Sequence, residues 1–365
     1  MKLECEIEKI KNAIYQAERI TGKNLTLPVL NSILFIASEK SLKLRATNLS
    51  LGIEIEIPAK IEKEGIVAVS GSVLVGIFSN IFQKENISLE EKDGYLLIKT
   101  KKSQIKVKCQ PNEDFPTIPR VSGNIFEIDS KKLIDGIKSV YYSSSVSDVK
   151  PEISSVYFFL KEDNLIFVST DSFRLAEKKI MVKKIEEKSG ILIPFKNIPE
   201  ILRVFGEFLG EIKICSNKNQ ISFSSNNVYL TSRVIDGIFP DYTQIIPKEF
   251  KTECVVLKQD LLNALKLSNI FSDKFNQVNL SIKPKEKIFE ISSQNNEVGE
   301  NKTYLDAAIS GEDVEVSFNY KYFIDCFQSI NTDSVSIRFN QSIKPIVVSG
   351  VSDNSFTYLI MPMNR

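Results

Sequence analysis

Histidine is entirely absent from the 365 residues of the sequence. Its absence excludes Ser-His-Asp triads, Cys-His dyads and every metal site that uses an imidazole ligand. Cysteine is scarce, and none of the five residues forms a Cys-x-x-Cys pair: they are Cys5, Cys109, Cys215, Cys254 and Cys326. Neither a zinc site nor a disulfide framework is indicated. We therefore expect a reduced, cytoplasmic protein.

Long apolar runs and an excess of charge of one sign are also missing. No stretch approaches the roughly 18 apolar residues of a membrane span, and the start of the chain, Met1–Glu6, lacks the apolar core of a signal peptide. Lys and Arg total 47 against 46 Asp and Glu, which gives a net charge of +1. Any binding of nucleic acid must therefore come from the local placement of basic residues.

The chain has ample material for several cores, because 42% of its residues are hydrophobic and its length suits two or three domains. Internal repetition is its strongest feature. A strand followed by an amphipathic helix occurs three times, and the register is marked by Asn12-Ala13-Ile14, Asp135-Gly136-Ile137 and Asn263-Ala264-Leu265. These tripeptides stand 123 and 128 residues apart.

Two further markers give the same period. A second helix follows the strand ends Val69-Ser70, Ile193-Pro194 and Phe318-Asn319, and it places Leu74, Ile198 and Phe323 at one core position. The Phe115-Pro116 and Phe239-Pro240 pairs and Pro362 close the three copies. The sequence thus predicts three repeated domains, with boundaries at 1–121, 122–249 and 250–365.

Alternating apolar and polar segments, such as Ile53–Ile57 and Tyr95–Ile98, lie between the helices and predict strands. Each repeat is predicted to contain two helices and six to eight strands. The fold class is therefore α+β, with a pair of helices packed on one face of the β-sheets of each repeat.

The segment Ser169–Ala176 resembles the Ala-Thr-Asp-Gly-His-Arg-Leu-Ala signature of the bacterial DNA sliding clamps, the beta subunits of DNA polymerase III. Ser172 and Phe173 depart from that signature. Phe239–Tyr242 and the Met361-Pro362-Met363 tail also match, and the resemblance extends over essentially the whole chain. It implies a head-to-tail dimeric ring whose helices line the bore. It also implies a non-catalytic processivity factor with no cofactor, which tethers the polymerase to double-stranded DNA.

Basic residues on the helices are the candidates for contact with DNA. At one helix position, equivalent residues of the repeats are Ser72, Lys196 and Lys321, two of which are basic. A clamp that slides needs attraction to phosphates without base reading, which lysine supplies. The candidates, partly from this pattern and partly from the resemblance, are Lys9, Arg19, Lys23, Lys138, Lys150, Lys196, Arg203, Lys266 and Lys321.

The resemblance also implies an apolar pocket that binds short peptides of the polymerase, the clamp loader and other partners. Its predicted members are Ile153, Thr170, Ser172, Phe173, Arg174, Leu175, Pro240, Ile245, Ile343, Pro345, Leu359, Met361, Pro362 and Met363. Gly at position 172 would mark a left-handed backbone, which Ser adopts only at a cost. If the loop keeps its shape, we expect Phe173 to widen the apolar floor beside Leu175. Gln244, Asn364 and Arg365 also depart from the family pattern.

A subunit interface is implied at residues of the first and third repeats: Phe78, Phe82, Ile105, Val107, Ile270 and Phe271. Two alternatives remain open at this point. One is a diverged clamp paralogue without polymerase contact. The other is a hydrolase that uses paired carboxylates such as Asp148 and Asp171, although the sequence offers it no nucleophile, phosphate loop or metal cluster.

Overall fold

The computed structural model describes residues 1–22, 27–81, 86–182, 190–340 and 343–363. Six α-helices lie in these ranges: α1 (Ile7–Glu18), α2 (Gly71–Ser79), α3 (Ser130–Val140), α4 (Ile198–Phe205), α5 (Lys258–Ile270) and α6 (Tyr320–Asp325). The strands of the first repeat are β1 (Lys2–Glu6), β2 (Ser32–Ser38), β3 (Ser41–Thr47), β4 (Leu51–Pro58), β5 (Lys60–Lys63), β6 (Gly65–Ser70), β7 (Asn86–Lys92), β8 (Tyr95–Lys99) and β9 (Gln104–Lys108).

The later repeats contribute the remaining strands. Those of the second repeat are β10 (Asn124–Asp129), β11 (Ser155–Lys161), β12 (Asn164–Thr170), β13 (Arg174–Met181), β14 (Ile191–Pro194), β15 (Glu211–Ser216), β16 (Gln220–Ser224) and β17 (Val228–Arg233). Those of the third are β18 (Thr252–Leu257), β19 (Gln277–Lys283), β20 (Ile288–Asn295), β21 (Gly299–Tyr304), β22 (Ala307–Gly311), β23 (Val314–Asn319), β24 (Ser334–Phe339), β25 (Ile346–Gly350) and β26 (Phe356–Ile360).

The threefold repeat is confirmed by this element order. Each repeat opens with a strand and a longer helix, and its second helix follows β6, β14 or β23, with a short 3-10 turn, Phe195–Asn197, between β14 and α4. The apolar positions predicted to face the core do so. Fully buried members include Ile10, Ile14, Leu133, Leu261 and Leu265, and the three equivalent second-helix residues Leu74, Ile198 and Phe323. Helical periodicity therefore placed the buried face of each helix correctly.

The described chain divides into two compact units, each built on two antiparallel sheets. The first unit, Met1–Lys131 with Lys196–Val234, holds the sheets β5-β1-β7-β8-β9 and β10-β15-β16-β17-β4-β3-β2-β6. The second, Lys132–Phe195 with Ile235–Arg365, holds β14-β11-β12-β13-β26-β25-β24-β18-β22 and β21-β20-β19-β23. The second repeat is thus divided between the units.

Strand pairing between successive repeats explains that division. In the first unit β4 pairs with β17, and Glu54 lies opposite Tyr229. In the second unit β13 pairs with β26, and Glu177 lies opposite Thr357. We call these pairings the first joint and the second joint. The registers of the two joints match. Glu177 lies 123 residues after Glu54 and Thr357 lies 128 residues after Tyr229, and these are the offsets between successive repeats.

A buried carboxylate lies at the first joint. Glu54 on β4 is 6% exposed and accepts hydrogen bonds from Arg45 on β3 and from Arg120. The Arg120 guanidinium also lies 4.2 Å from the centre of the Tyr229 ring, and the Tyr229 hydroxyl accepts from the Val121 amide at 2.8 Å. Arg120 and Val121, which connect the first two repeats, are therefore bonded to the paired strands of the first joint.

Glu54 should make stability at the first joint depend on pH. Burial alone would raise the pKa of its carboxyl, but Arg45 and Arg120 outweigh burial and hold the pKa below the ordinary value of 4.5. A lowered folded pKa gives stability that is present above the unfolded pKa and is lost as the pH falls through the folded one. Glu54→Gln should cost about 1 kcal/mol at pH 7, or a Tm about 2–4 °C lower.

Thermal unfolding of wild type and Glu54→Gln at pH 7 and at pH 3.5 measures this effect. We expect the difference in Tm to shrink at the lower pH. Glu56→Gln is a matched control on the same strand, since its partner Lys43 and its own side chain are both partly exposed. A difference for Glu54→Gln that is equal at both pH values would contradict the assignment.

No helix within the described ranges is long and apolar enough to cross a membrane. In that same part of the chain, no three His, Cys, Asp or Glu side chains are grouped so that they would hold a metal ion.

Candidate peptide-binding and nucleic-acid-binding sites

The loop Thr170–Arg174, which connects β12 to β13 at the second joint, is held by hydrogen bonds within the loop. Thr170 Oγ1 donates to the Arg174 carbonyl at 2.6 Å and accepts from the Ser172 amide at 3.1 Å. Asp171 Oδ1 accepts from the amides of Phe173 and Arg174 at 2.9 and 3.0 Å. Ser172 has a φ of 77°, so the backbone keeps the left-handed conformation with serine in place of glycine.

The first joint has the same loop 123 residues earlier. Thr47 Oγ1 donates to the Leu51 carbonyl and accepts from the Leu49 amide, while Asn48 Oδ1 accepts from the amides of Ser50 and Leu51. Leu49, at the position of Ser172, has a φ of 73°. The loop geometry is therefore a property of the repeat, maintained by Thr-Asn or Thr-Asp at its start.

The apolar surface differs between the two joints. Phe173 is 60% exposed and Met361 is 36% exposed, and the Met361 amide donates to the Phe173 carbonyl at 2.8 Å. The equivalent bond at the first joint runs from the Arg233 amide to the Ser50 carbonyl. The second joint thus presents apolar side chains where the first presents polar ones.

Two predicted pocket residues belong instead to the core beneath this surface. Leu175 is 1% exposed and Leu359 is 2% exposed, and they face each other across β13 and β26. They pack in a cluster with Phe239 and Tyr242. Leu175 and Leu359 therefore expose almost no surface, and their membership of the pocket stays a prediction.

The segment after Phe239 is fixed by a buried hydrogen bond. The Tyr242 hydroxyl donates to Glu177 Oε2 at 2.5 Å, and both residues are less than a tenth exposed. Burial, reinforced by the Glu177 carboxylate, raises the pKa of Tyr242, so the phenol stays protonated as a donor. Asp241 caps the short helix Tyr242–Ile245 by accepting from the Thr243 amide, and it also accepts from the Gln244 side chain at 2.6 Å.

Arg174, another predicted member of the pocket, has its side-chain nitrogens bonded to partners within the chain. Its side chain is 12% exposed, and Nε donates to Asp171 at 2.9 Å. The two terminal nitrogens donate to Asp325 and to the Tyr142 carbonyl, and the guanidinium lies 4.7 Å from the Tyr322 ring centre. Burial alone would lower the pKa of Arg174, but Tyr358, Asp325 and Asp171 raise it above its ordinary value.

The other predicted pocket members lie in the same unit, and their joint role stays a prediction. Ile245 and Ile343 are 48% and 69% exposed, whereas Thr170 is buried in the loop described above. Ile153, Pro362 and Met363 are half-buried, Pro240 and Ser172 are exposed, and Pro345 is buried. Met363 is held by its amide, which donates to the Ser317 carbonyl at 2.8 Å. Asn364 and Arg365 lie outside the described residues.

The basic candidates for DNA contact are exposed wherever the structure describes them. They are Lys9, Arg19, Lys196 and Arg203 in the first unit and Lys138, Lys150, Lys266 and Lys321 in the second. Lys23 lies outside the described residues. Lys9 pairs with Glu6 at 2.9 Å on an exposed surface, where such a pair exchanges readily for a phosphate.

Arg203 is more constrained than the lysines. It pairs with Glu200 on its own helix and also donates to the Tyr15 and Gln16 carbonyls of α1, at 3.1 and 3.3 Å. It therefore joins a helix of the first repeat to one of the second. This placement favours a structural role over phosphate contact.

The residues predicted at a subunit interface divide into exposed and buried sets. Ile270 is 61% exposed and Phe271 is half-buried at the end of α5, while Ile105 is half-buried on β9. Phe78 is fully buried and Val107 is 8% exposed. Phe78 is therefore a core residue of the first repeat, and its prediction as an interface residue is wrong. Phe82 lies outside the described residues.

Sequence reasoning missed the polar partners that hold these elements, namely Glu54, Arg120, Tyr142, Glu177, Tyr322 and Asp325. They come from distant parts of the chain, and no local spacing connects them. Asp171, which the hydrolase alternative required, is occupied as the acceptor of two amides and of Arg174. That alternative is not favoured.

Comparison with known proteins agrees with this architecture over the whole chain. Family models match residues 1–119, 127–241 and 243–364, as the N-terminal, central and C-terminal domains of the DNA polymerase III beta subunit. The beta sliding clamp of Synechococcus elongatus is 27% identical over all of this chain and 99% of its own length. That of Staphylococcus aureus is 27% identical over 93% of this chain and 92% of its own.

Solved structures show the same fold. The sliding clamp of Bacillus subtilis superposes with a TM-score of 0.95 at 23% identity, covering 100% of this chain and 99% of that one. The beta subunit of Thermotoga maritima gives 0.94 at 25% identity with the same coverage. Three matched clamp domains define a non-catalytic accessory protein of DNA replication. The chain belongs to the DNA polymerase III beta-subunit family, the bacterial DNA sliding clamps.

Ser172→Gly tests the strain in the loop of the second joint. A left-handed backbone costs a residue with a Cβ atom roughly 1 kcal/mol, which glycine avoids, so the variant should raise the free energy of unfolding by up to about 1 kcal/mol. Ser147→Gly is the control, an exposed serine that is not in this conformation and should lose stability instead. Denaturant unfolding measures both, and the same sign in both variants would contradict the strain.

Proposed function

We propose that two copies of this chain join head to tail into a ring around duplex DNA. The observation that supports it most is the repeated joint. A strand at the edge of one sheet in a repeat pairs with a strand at the edge of a sheet in the next repeat, and this happens twice with one register. In repeat order β4, β13 and β21 are equivalent on one side of the joint, and β9, β17 and β26 on the other.

Two of these six strands, β9 and β21, do not take part in a joint within one chain. β9 and β21 each end a sheet, so each has one open edge among the described residues. An exposed edge of unpaired amides and carbonyls is a template for pairing with another chain. Two copies that pair β9 of one with β21 of the other would form two more joints and leave neither edge open.

The side chains at these edges suit such a pairing. Phe271, predicted at the interface, lies close to the start of β21, since a side chain at Gly299 would come within 3.7 Å of its ring. Ile270 beside it is 61% exposed. Exposed Lys106 and Lys108 lie on β9, and β21 carries exposed Glu300 together with exposed Lys302, so Glu300 is the one acidic side chain of β21 that could pair with a lysine of β9.

A ring of this kind would hold DNA by topology and by sequence-blind attraction between phosphates and the exposed lysines of the helices. It would carry the polymerase through short peptides bound at the second joint. Each apolar anchor of such a peptide contributes about 1.5–3 kcal/mol when buried, which gives micromolar affinity after ordering costs. The domain boundaries predicted from the sequence and a cytoplasmic location belong to the same proposal.

The oligomeric state tests ring closure. We expect wild type to have a mass near twice 41.3 kDa at micromolar concentration. Ile270→Asp with Phe271→Asp should give monomers, because burying two charges in an apolar contact is costly. Leu209→Asp is the control, since Leu209 is 73% exposed and lies on neither β9 nor β21. Sedimentation equilibrium measures all three, and a monomeric wild type would refute the ring.

Peptide titration tests the pocket. A labelled peptide with a glutamine and two apolar anchors should bind wild type saturably, and Phe173→Ala or Met361→Ala should weaken binding about tenfold through lost apolar contact. Deletion of Met361–Arg365 should abolish binding. Leu209→Ala is the control, because Leu209 is 73% exposed and belongs to the first unit, whereas the loop and the tail belong to the second. Well-folded wild type that fails to bind would leave the diverged paralogue as the better reading.

A further inference from the structure

We propose that Asp325 is a positioning residue for the peptide pocket, acting through Arg174 on the loop Thr170–Arg174. This inference rests on the proposed peptide-binding function and adds to it a residue that never touches the ligand. Asp325 is the last residue of α6 in the third repeat, whereas the loop belongs to the second repeat. Its carboxylate accepts a hydrogen bond from a terminal nitrogen of Arg174.

Every side of the Arg174 guanidinium is held. Asp171 accepts from Nε inside the loop, Asp325 and the Tyr142 carbonyl accept from the terminal nitrogens, and the Tyr322 ring lies 4.7 Å away. Tyr322 is fixed in turn, since its carbonyl accepts from the Tyr358 hydroxyl at 2.8 Å. Arginine in a planar, multiply bonded arrangement of this kind has little freedom to turn toward a ligand.

We call the hydrogen bond from Arg174 to Asp325 the charged anchor of the loop. The equivalent loop at the first joint shows what this bond adds. Its hydrogen bonds and its left-handed residue are the same, but Leu51 stands at the position of Arg174 and is 3% exposed. The tie to a helix is made there by Ser50, whose hydroxyl bonds to the Asn197 side chain. Only the joint with exposed Phe173 and Met361 carries the charged anchor to α6.

The side chain at position 173 explains why the two loops are bonded to their helices through different residues. At the second joint position 173 is an exposed aromatic residue, so its side chain gives the loop no bond to a neighbouring helix. The bond to a helix is instead made one residue on, by Arg174, whose guanidinium donates to Asp325. Phe173 stays available to a partner peptide, while its carbonyl still holds the tail through the Met361 amide.

A positioning role predicts a specific kinetic signature. Without the anchor the loop samples other conformations, and affinity falls in proportion to the fraction that remains competent to bind. Asp325→Ala should therefore lower the association rate constant of the partner peptide about tenfold and change the dissociation rate constant less than twofold. Asp325→Asn, which keeps an oxygen acceptor for Arg174, should lose less than Asp325→Ala.

Stopped-flow binding of a labelled glutamine-and-leucine peptide to the intact protein makes the measurement. Glu312→Ala is the matched control, because it removes an exposed carboxylate of the third repeat from a pair with Lys251 and should change neither rate. Circular dichroism checks folding, and Asp325, 40% exposed, should tolerate substitution. The proposal would be overturned if Asp325→Ala left both rate constants unchanged, or if its loss of affinity came only from a higher dissociation rate constant.

Hydrogen exchange separates this inference from the proposed function. In the free protein, amides of residues 171–174 should exchange faster in Asp325→Ala than in wild type, with no such change in Glu312→Ala. If exchange rises but wild type binds no peptide, the peptide site fails and the positioning of the loop by Asp325 stands. If exchange in this segment is unchanged, the positioning role is refuted whatever the peptide does.

Discussion

Antiparallel pairing of edge strands between successive repeats is the interaction on which the rest of this structure depends. A repeat of about 120 residues could fold as a separate domain with exposed sheet edges. Here β4 pairs with β17 and β13 pairs with β26, so the sheets run from one repeat into the next. Backbone hydrogen bonds carry the connection, which lets side chains at the joints diverge without loss of the pairing.

That freedom lets two joints of one geometry present different side chains. Both begin with a loop in which Thr and Asn or Asp side chains accept and donate the same four hydrogen bonds. At the first joint the buried charge is Glu54, held by two arginines, and polar Ser50 and Arg233 stand at the positions of Phe173 and Met361. At the second joint the equivalent Glu177 is also buried but accepts from the Tyr242 hydroxyl, Arg174 is bonded to Asp325, and the surface carries exposed Phe173 and Met361. The proposed peptide site thus differs from the first joint in side chains while sharing its backbone geometry.

The sequence predicted the repeat, its period and the buried face of the helices, because helical periodicity and turn residues are local signals. The glycine that the resembling signature has at position 172 suggested a left-handed backbone there, and Ser172 has a φ of 77°. The resemblance placed Leu175 and Leu359 in the pocket and Phe78 at a subunit interface, but it could not show that these three side chains are buried within the chain. Sequence reasoning missed Asp325 and Glu177 because their partners lie 151 and 65 residues away in the chain.

The central claim is that repeated joints close a ring of two chains that holds DNA by enclosure. The most direct measurement loads the labelled protein on a nicked circular duplex, removes free protein, and then cuts the circle at one site with a restriction endonuclease. We predict long retention on the circle, even at salt concentrations that abolish binding to linear duplex, and rapid release after the cut. Equal lifetimes on the intact and the cut DNA would contradict enclosure.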